Sequence, residues 1–242
     1  MPARRLAHYS PGQIHLALML ALTFSTGIID AVGYLGLDRV FTGNMTGNVV
    51  ILGMGLAGAD DLPVVGPAVA LASFMAGAVI GGRVLKPVSA GWTSRSTTLF
   101  ATVGVLMTGI AISLFLIGNE PHPPLETILT AALAIAMGIQ ASAARHLAVK
   151  DITTVVVTSL ITGLAADSRL GGGLGQPWVR RVAALALISA GAVGGALAIS
   201  LHLGAGVALS AAIVLIVTLI GHIAQRAHER FESATQSSDA AG

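Results

Sequence analysis

The stretch VAALALISAGAVGGALAISLHLGAGVALSAAIVLIVTLIGHIAQ, residues 182–225, decides the fold class because it contains no Asp, Glu, Lys or Arg. A helix needs about 20 apolar residues to cross the roughly 30 Å of hydrocarbon in a bilayer. The stretch is therefore long enough for two membrane spans, and His202-Leu203-Gly204 is the natural place for the turn between them.

The composition of the whole chain agrees with this reading. Hydrophobic residues make up 54% of the sequence and charged residues only 10%, whereas a soluble domain carries about 25% charged residues. The polar surface is too small to face water everywhere, so the solvent is lipid. The net charge of +2 is too small to indicate nucleic-acid binding. The absence of cysteine excludes disulfides and thiolate catalysis.

Four further charge-free runs predict four further spans, which makes six in all. They are residues 6–29 (with the helix continuing past Asp30 to about Leu37), 62–82, 96–119 and 127–144. Two shorter Thr-containing elements, 43–58 and 152–166, are marginal for a straight crossing. We predict an all-α membrane protein with about six transmembrane helices plus two short re-entrant or half helices.

The basic residues favour that layout over one with eight spans. If both short elements re-enter, every basic cluster except Arg39 lies on the cytoplasmic side, and both acidic loops lie outside. Both termini are then cytoplasmic. The sequence divides into an N-terminal segment (1–13), a transmembrane domain (14–225) and a tail (226–242) whose Ser, Ala and acidic composition predicts disorder.

The two halves of the domain, 14–117 and 126–225, share one order of elements: a long span, a short Thr-containing element and two long spans. Gly27-Ile28 in the first half corresponds to Gly138-Ile139 in the second. Likewise, Thr42 and Thr46 correspond to Thr154 and Thr158. Three crossings per half is an odd number, so two such halves form an inverted repeat, as in many secondary transporters. The alternative is that Ala/Gly/Thr-rich helices resemble one another by composition alone.

Polar side chains concentrate in Thr42-Gly43-Asn44-Met45-Thr46-Gly47-Asn48 and at Asp30 in the first span. An ionisable group within a span costs about 2.5–3.5 kcal/mol on insertion scales, so Asp30 is a candidate proton or cation site. The alternative places Asp30 near the outer interface, solvated beside Arg39. The 42–48 stretch either lines a solute or anion site at a helix start, or satisfies its own polar groups across a tight helix contact.

The candidate binding residues are thus drawn from both halves. They are Asp30, Thr42, Asn44, Thr46, Gly47, Asn48, Gln140, Thr154 and Thr158, with Gln140 one step out of register with Asp30 by the repeat. The glycine pairs Gly77/Gly81 and Gly191/Gly195 indicate helix packing. The sequence has no His-Glu-x-x-His pair, Gly-x-Ser-x-Gly elbow or carboxylate dyad, so we expect no enzyme, no metal and no cofactor.

Two blocks of residues carry a family resemblance. Gly27-Ile28-Ile29-Asp30-Ala31 with Asn44-Met45-Thr46-Gly47-Asn48, and Met137-Gly138-Ile139-Gln140-Ala141 with Arg145 and Thr158, resemble the bacterial YoaK family, grouped under the domain of unknown function DUF1275. That family tends to have Thr-Gly in its second block, whereas Ser159 follows Thr158 here. The resemblance implies a bacterial inner-membrane protein and brings no substrate or activity.

Two classes of function remain open from the sequence. The first is a small-solute transporter or channel-like permease, with Asp30 and the 42–48 element facing Thr154 and Thr158 and with protons as coupling ion. The second is a non-transporting membrane scaffold or assembly subunit, in which the Asn and Thr side chains join helices. The partners expected are the lipid bilayer and an unidentified small solute, with no nucleic acid.

Overall fold

The computed structural model describes residues 11–88, 90–147, 157–173 and 178–239, which form eight α-helices, a 3-10 turn at Arg169–Gly171 and no strand. In chain order the helices are α1 (Pro11–Gly36), α2 (Met45–Leu56), α3 (Val65–Leu85), α4 (Ser94–Ile117), α5 (Pro123–His146), α6 (Val157–Ala166), α7 (Trp178–Leu201) and α8 (Leu203–Asp239).

Six of these helices, α1, α3, α4, α5, α7 and α8, are long and apolar enough to cross a membrane, which confirms the predicted number of spans. The predicted turn between the last two is also confirmed, since α7 ends at Leu201 and α8 begins at Leu203. The side chain of Asn119, just beyond α4, accepts a hydrogen bond from the amide of Leu203 at 2.9 Å.

The helices α1 and α5 form the centre of the bundle. Within the apolar 18-residue stretch of each of these helices, 61% is buried inside the protein, compared with 22% in α3 and 17% in α7. The two outer helices therefore present most of their surface to lipid, while α4 and α8 complete the core beside the central pair.

A glycine contact brings α1 and α7 together. A Cβ placed at Gly27 would overlap the carbonyl oxygen of Ile188, and a Cβ at Gly191 would overlap the carbonyl oxygen of Phe24. Because neither residue has a side chain, the two backbones approach to van der Waals distance.

A second glycine contact brings α3 and α5 together in the same manner. A Cβ at Gly77 would overlap the carbonyl oxygen of Ile135, and a Cβ at Gly138 would overlap that of Phe74. The prediction that Gly77 and Gly191 pack helices is thus confirmed. Gly27 and Gly138, which the sequence analysis matched between the two halves, occupy equivalent places in the two contacts.

The packing partners correspond when the halves are exchanged. The contact of α1 with α7 in one place corresponds to that of α5 with α3 in the other. In the same way, the contact of α1 with α8 corresponds to that of α5 with α4, and the contact of α2 with α3 corresponds to that of α6 with α7. All six pairs are in contact. The end of α1 and the beginning of α5 line one cleft, so these equivalent helices run antiparallel. This is the arrangement that an inverted repeat would produce, although the repeat itself stays a prediction.

The last helix is longer than the sequence indicated. α8 continues from the last span to Asp239, so the structure places helix over residues 226–239, where composition predicted a disordered tail. A helix that has already formed adds residues more easily than a new one starts, and the side chain of Gln225 donates to Glu229 at 2.8 Å across the boundary.

Candidate functional site

The segment between α1 and α2 runs back along α1. The left-handed backbone of Asp38 (φ 50°) and Arg39 (φ 56°) reverses the chain just after α1 ends. Val40 then lies against Gly33, and the hydroxyl of Thr42 donates to the carbonyl of Ile29 at 3.4 Å. The helix α2 therefore begins beside Ile29, within the length of α1 and not at its end.

The helix α2 then returns to the end of the bundle from which its approach segment came. A Cβ at Gly55, near the end of α2, would lie 3.0 Å from the carbonyl oxygens of Leu62 and Pro63, just before α3. Near the start of α3, a Cβ at Gly66 would lie 2.6 Å from Val40. With 12 residues, α2 is about 18 Å long, too short to cross the hydrocarbon.

The carboxylate of Asp30 holds the start of α2 in place. Its Oδ1 accepts hydrogen bonds from the amide of Gly43 at 2.7 Å and from the amide of Asn44 at 3.2 Å. A Cβ at Gly43 would lie 3.2 Å from the Cε of Met137 and 3.3 Å from Thr26, so Gly43 packs closely against both side chains. The site thus brings together α1, α5 and the residues immediately before α2.

Asn48 clamps the approach segment from inside α2. Its Oδ1 accepts from the amide of Phe41 at 2.9 Å, and its Nδ2 donates to the carbonyl of Phe41 at 2.6 Å. The side chain is fully buried. The ring of Phe41 stacks on that of Tyr34, with the ring centroids 4.9 Å apart. It also lies against Gly47, where an added Cβ would be only 2.7 Å from the ring. Asn48 and Gly47 are therefore positioning residues.

Replacing Asn48 by Ala should lower the stability of the folded protein by about 2 kcal/mol or more, because both backbone groups of Phe41 lose their partner. The control is Thr46→Ala on the same helix, where the side chain is exposed and Ala is the better helix former. Thermal unfolding of the two variants in detergent measures the difference. Equal melting temperatures would contradict the clamp.

Asn44 and Thr46 lie on the accessible side of this helix start. The side chain of Asn44 caps α2 by accepting from the amide of Gly47 at 3.2 Å, and the residue is otherwise exposed, as is Thr46. These two side chains are the polar groups of the 42–48 stretch that the rest of the protein leaves uncovered.

Gln140 belongs to the same cluster. Its Nε2 donates to the hydroxyl of Thr26 at 3.4 Å, and Thr26 in turn donates to the carbonyl of Leu22 at 2.9 Å. The Oε1 of Gln140 is buried and has no hydrogen-bond partner among the residues that the structure describes. Thr26 and Met137 were not among the predicted residues. Their spacing from Asp30 and Gln140, one helical turn on the same face, was the available signal.

The structure does not bring the second short element to this cluster. Thr158 is exposed on α6, and α6 contacts α7 and the 3-10 turn, with no contact to α2 among the described residues. Thr154 lies outside the described residues. The expected face-to-face arrangement of Thr158 with the 42–48 stretch is therefore not observed, because α6 packs against the outer helix α7.

A cleft of about 330 Å³ opens at the end of the bundle where α1 ends and α3 and α5 begin. Asp38, Glu126, Thr127 and Thr130 supply its polar lining. Asp30 does not line it. An apolar cluster of Val40, Ala70 and Ala134 lies between the two, since Ala134 is one turn along α5 from Thr130 and one turn before Met137.

The fold and site define a class: a multi-pass α-helical membrane protein whose first half contains a short helix held by a carboxylate from a spanning helix. The chain matches the family described as "Protein of unknown function (DUF1275)" over residues 18–220, and it belongs to that family, as the Asn44–Asn48 block suggested.

The curated relative found is the "UPF0700 transmembrane protein YoaK" of Bacillus subtilis (strain 168), which is 32% identical over 151 residues. The match covers 62% of this chain and 65% of that relative. No solved structure matches the chain. Neither of these names states an activity, so a function has to be inferred from the residues themselves.

Proposed function

We propose that this protein is a small-solute permease whose solute site lies at Asp30 and the exposed start of α2. The observation that carries the proposal is the pair of hydrogen bonds from the amides of Gly43 and Asn44 to Asp30, within a spanning helix. Broken helices with polar ends at membrane depth are the usual solute and ion sites of secondary transporters.

The charge of Asp30 favours transport over a purely structural role. An asparagine at this position could accept the same two amide hydrogen bonds through its own Oδ1. A charged side chain at the centre of a spanning helix costs about 2.5–3.5 kcal/mol to insert. A cost that packing does not require is expected where the charge binds a proton or a solute.

The two halves supply the symmetry that such a mechanism uses. We infer an inverted repeat of residues 14–117 and 126–225, with both termini in the cytoplasm of a bacterial cell and the chain in its inner membrane. The cleft lined by Asp38 and Glu126 is then the outer vestibule. The cluster of Val40, Ala70 and Ala134 is the closed barrier between that vestibule and Asp30.

A second candidate function is a non-transporting scaffold or assembly subunit. It is favoured by Asn48, whose two polar atoms are both used on the backbone of Phe41, as expected of a side chain that only joins segments. Under this hypothesis Asp30 is a structural cap, and no aqueous path reaches it.

Access of water to Thr46 tests the permease proposal directly. The chain contains no cysteine, so single-cysteine variants need no background mutations. Thr46→Cys should react with a membrane-impermeant thiol reagent in proteoliposomes. Val105→Cys, on the lipid-facing side of α4 with 66% exposure, should not react, whereas Asp60→Cys in the connecting loop should react fully.

The result that contradicts the proposal is equally clear. If Thr46→Cys is as unreactive as Val105→Cys while Asp60→Cys is labelled, the start of α2 is dry or faces lipid, and the scaffold function is favoured.

A further inference from the structure

We propose that the solute bound beside Asp30 is a small cation carrying N–H donors, and not an anion. This inference rests on the proposed permease function and names its substrate class. The backbone amides that face Asp30 already donate to its carboxylate, while a buried acceptor nearby is unused, and both observations favour a ligand that brings donors and positive charge.

Four backbone amides at the start of α2 already donate to oxygens of the protein. The amides of Gly43 and Asn44 donate to Asp30, that of Met45 to the carbonyl of Gly43 at 3.1 Å, and that of Gly47 to the Asn44 side chain. A helix start is an anion site only when its amides point at the ligand. Here the carboxylate of Asp30 already occupies that place.

The acceptors are in surplus. Gln140 is 1% exposed, yet its Oε1 has no hydrogen-bond partner within the described part of the chain. A buried acceptor left without a donor costs about 1–3 kcal/mol, so a ligand that supplies a donor is favoured there. The amide of Gln140 contacts Thr26, which lies together with Asp30 and Met137 around Gly43, so this acceptor belongs to the same site.

Among the residues that the structure describes, no positive charge balances Asp30. No Lys or Arg occurs between Arg5 and Arg39, within α2, or in α5 before Arg145. No ion pair joins Asp30 to any other residue that the structure describes. A cationic ligand would supply the missing counter-charge in a low-dielectric place where attraction between charges is strong.

The outer cleft has the matching sign. Asp38 and Glu126 both line it, and none of its lining residues is Lys or Arg. A cleft of one charge raises the local concentration of ions of the opposite charge. The approach to the site and the site itself therefore select the same class of solute.

Guanidinium and urea are matched probes, because they have the same planar shape and both donate N–H bonds, but only guanidinium is charged. At millimolar concentration and constant ionic strength, guanidinium should stabilise the purified protein against thermal unfolding and should enter proteoliposomes. Urea, acetate and choline should do neither. Sodium is included as a separate arm, to distinguish an N–H donor from any small cation.

The variants connect the effect to the site. Asp30→Asn should weaken the apparent affinity for guanidinium about tenfold or more, and Gln140→Leu by a smaller factor, with both proteins still folded. The control Asp60→Asn, in the exposed loop after α2, should bind as the wild type does.

The outcomes separate this inference from the permease proposal. Stabilisation by acetate or urea that is lost in Asp30→Asn would overturn the cation class and leave the permease standing. Stabilisation by sodium equal to that by guanidinium would overturn the N–H donor requirement. No response to guanidinium in the wild type, or an equal response in Asp30→Asn, would overturn the inference.

Discussion

Gly77→Ala is expected to abolish most of the folded protein, although it adds a single methyl group. The Cβ would overlap the carbonyl oxygen of Ile135 and lie 2.9 Å from its carbonyl carbon, and backbone cannot swing aside as a side chain can. The helices α3 and α5 must then separate along their whole contact. Overpacking of this kind costs about 1–3 kcal/mol and sometimes more. The yield of monodisperse protein in detergent and its melting temperature measure the loss.

Gly82→Ala, on the same helix, is the matched control. A Cβ at Gly82 meets nothing within 4 Å, so only the entropic benefit of replacing a helical glycine remains, about 0.5–1 kcal/mol in favour of folding. We expect an unchanged or raised melting temperature. If the two variants behave alike, the close contact of α3 with α5 does not hold the bundle together.

The architecture was predictable because lipid imposes strict rules on the sequence. A span has to be apolar over about 20 residues, so the positions of the charges and the lengths of the charge-free runs indicated the six spans. Glycines spaced four apart mark close helix contacts, so Gly77 and Gly191 were identified before their partners were known. These signals are local, and each can be read from one segment alone.

The candidate site was predictable only in part, because it depends on contacts between distant segments. Asp30 and Asn44 were identified from their types, but the reversal at Asp38 and Arg39 that brings them together has no sequence signal specific enough to predict it. Periodicity gives the face of a helix and not its depth. For that reason Thr26 was missed, and Thr158 was placed in a cluster that α6 does not reach.

Asp30→Asn and Asp30→Ala are expected to separate structure from function at the centre of the molecule. In Asp30→Asn the amide oxygen can still accept from Gly43 and Asn44, and the cost of a charge within the span is removed. Its melting temperature should equal or exceed that of the wild type. In Asp30→Ala both amides lose their acceptor, at about 1–3 kcal/mol each, so its melting temperature should fall clearly.

Solute coupling should follow the charge and not the stability. A permease that binds its solute through the carboxylate loses solute-dependent stabilisation and uptake in Asp30→Asn, even though that variant is the more stable of the two. A scaffold in which Asp30 only caps α2 keeps its function in Asp30→Asn and loses it in Asp30→Ala, in proportion to the loss of fold. The permease hypothesis predicts loss of function in both variants, and the scaffold hypothesis predicts loss only in Asp30→Ala. Full function in Asp30→Asn would therefore eliminate the permease.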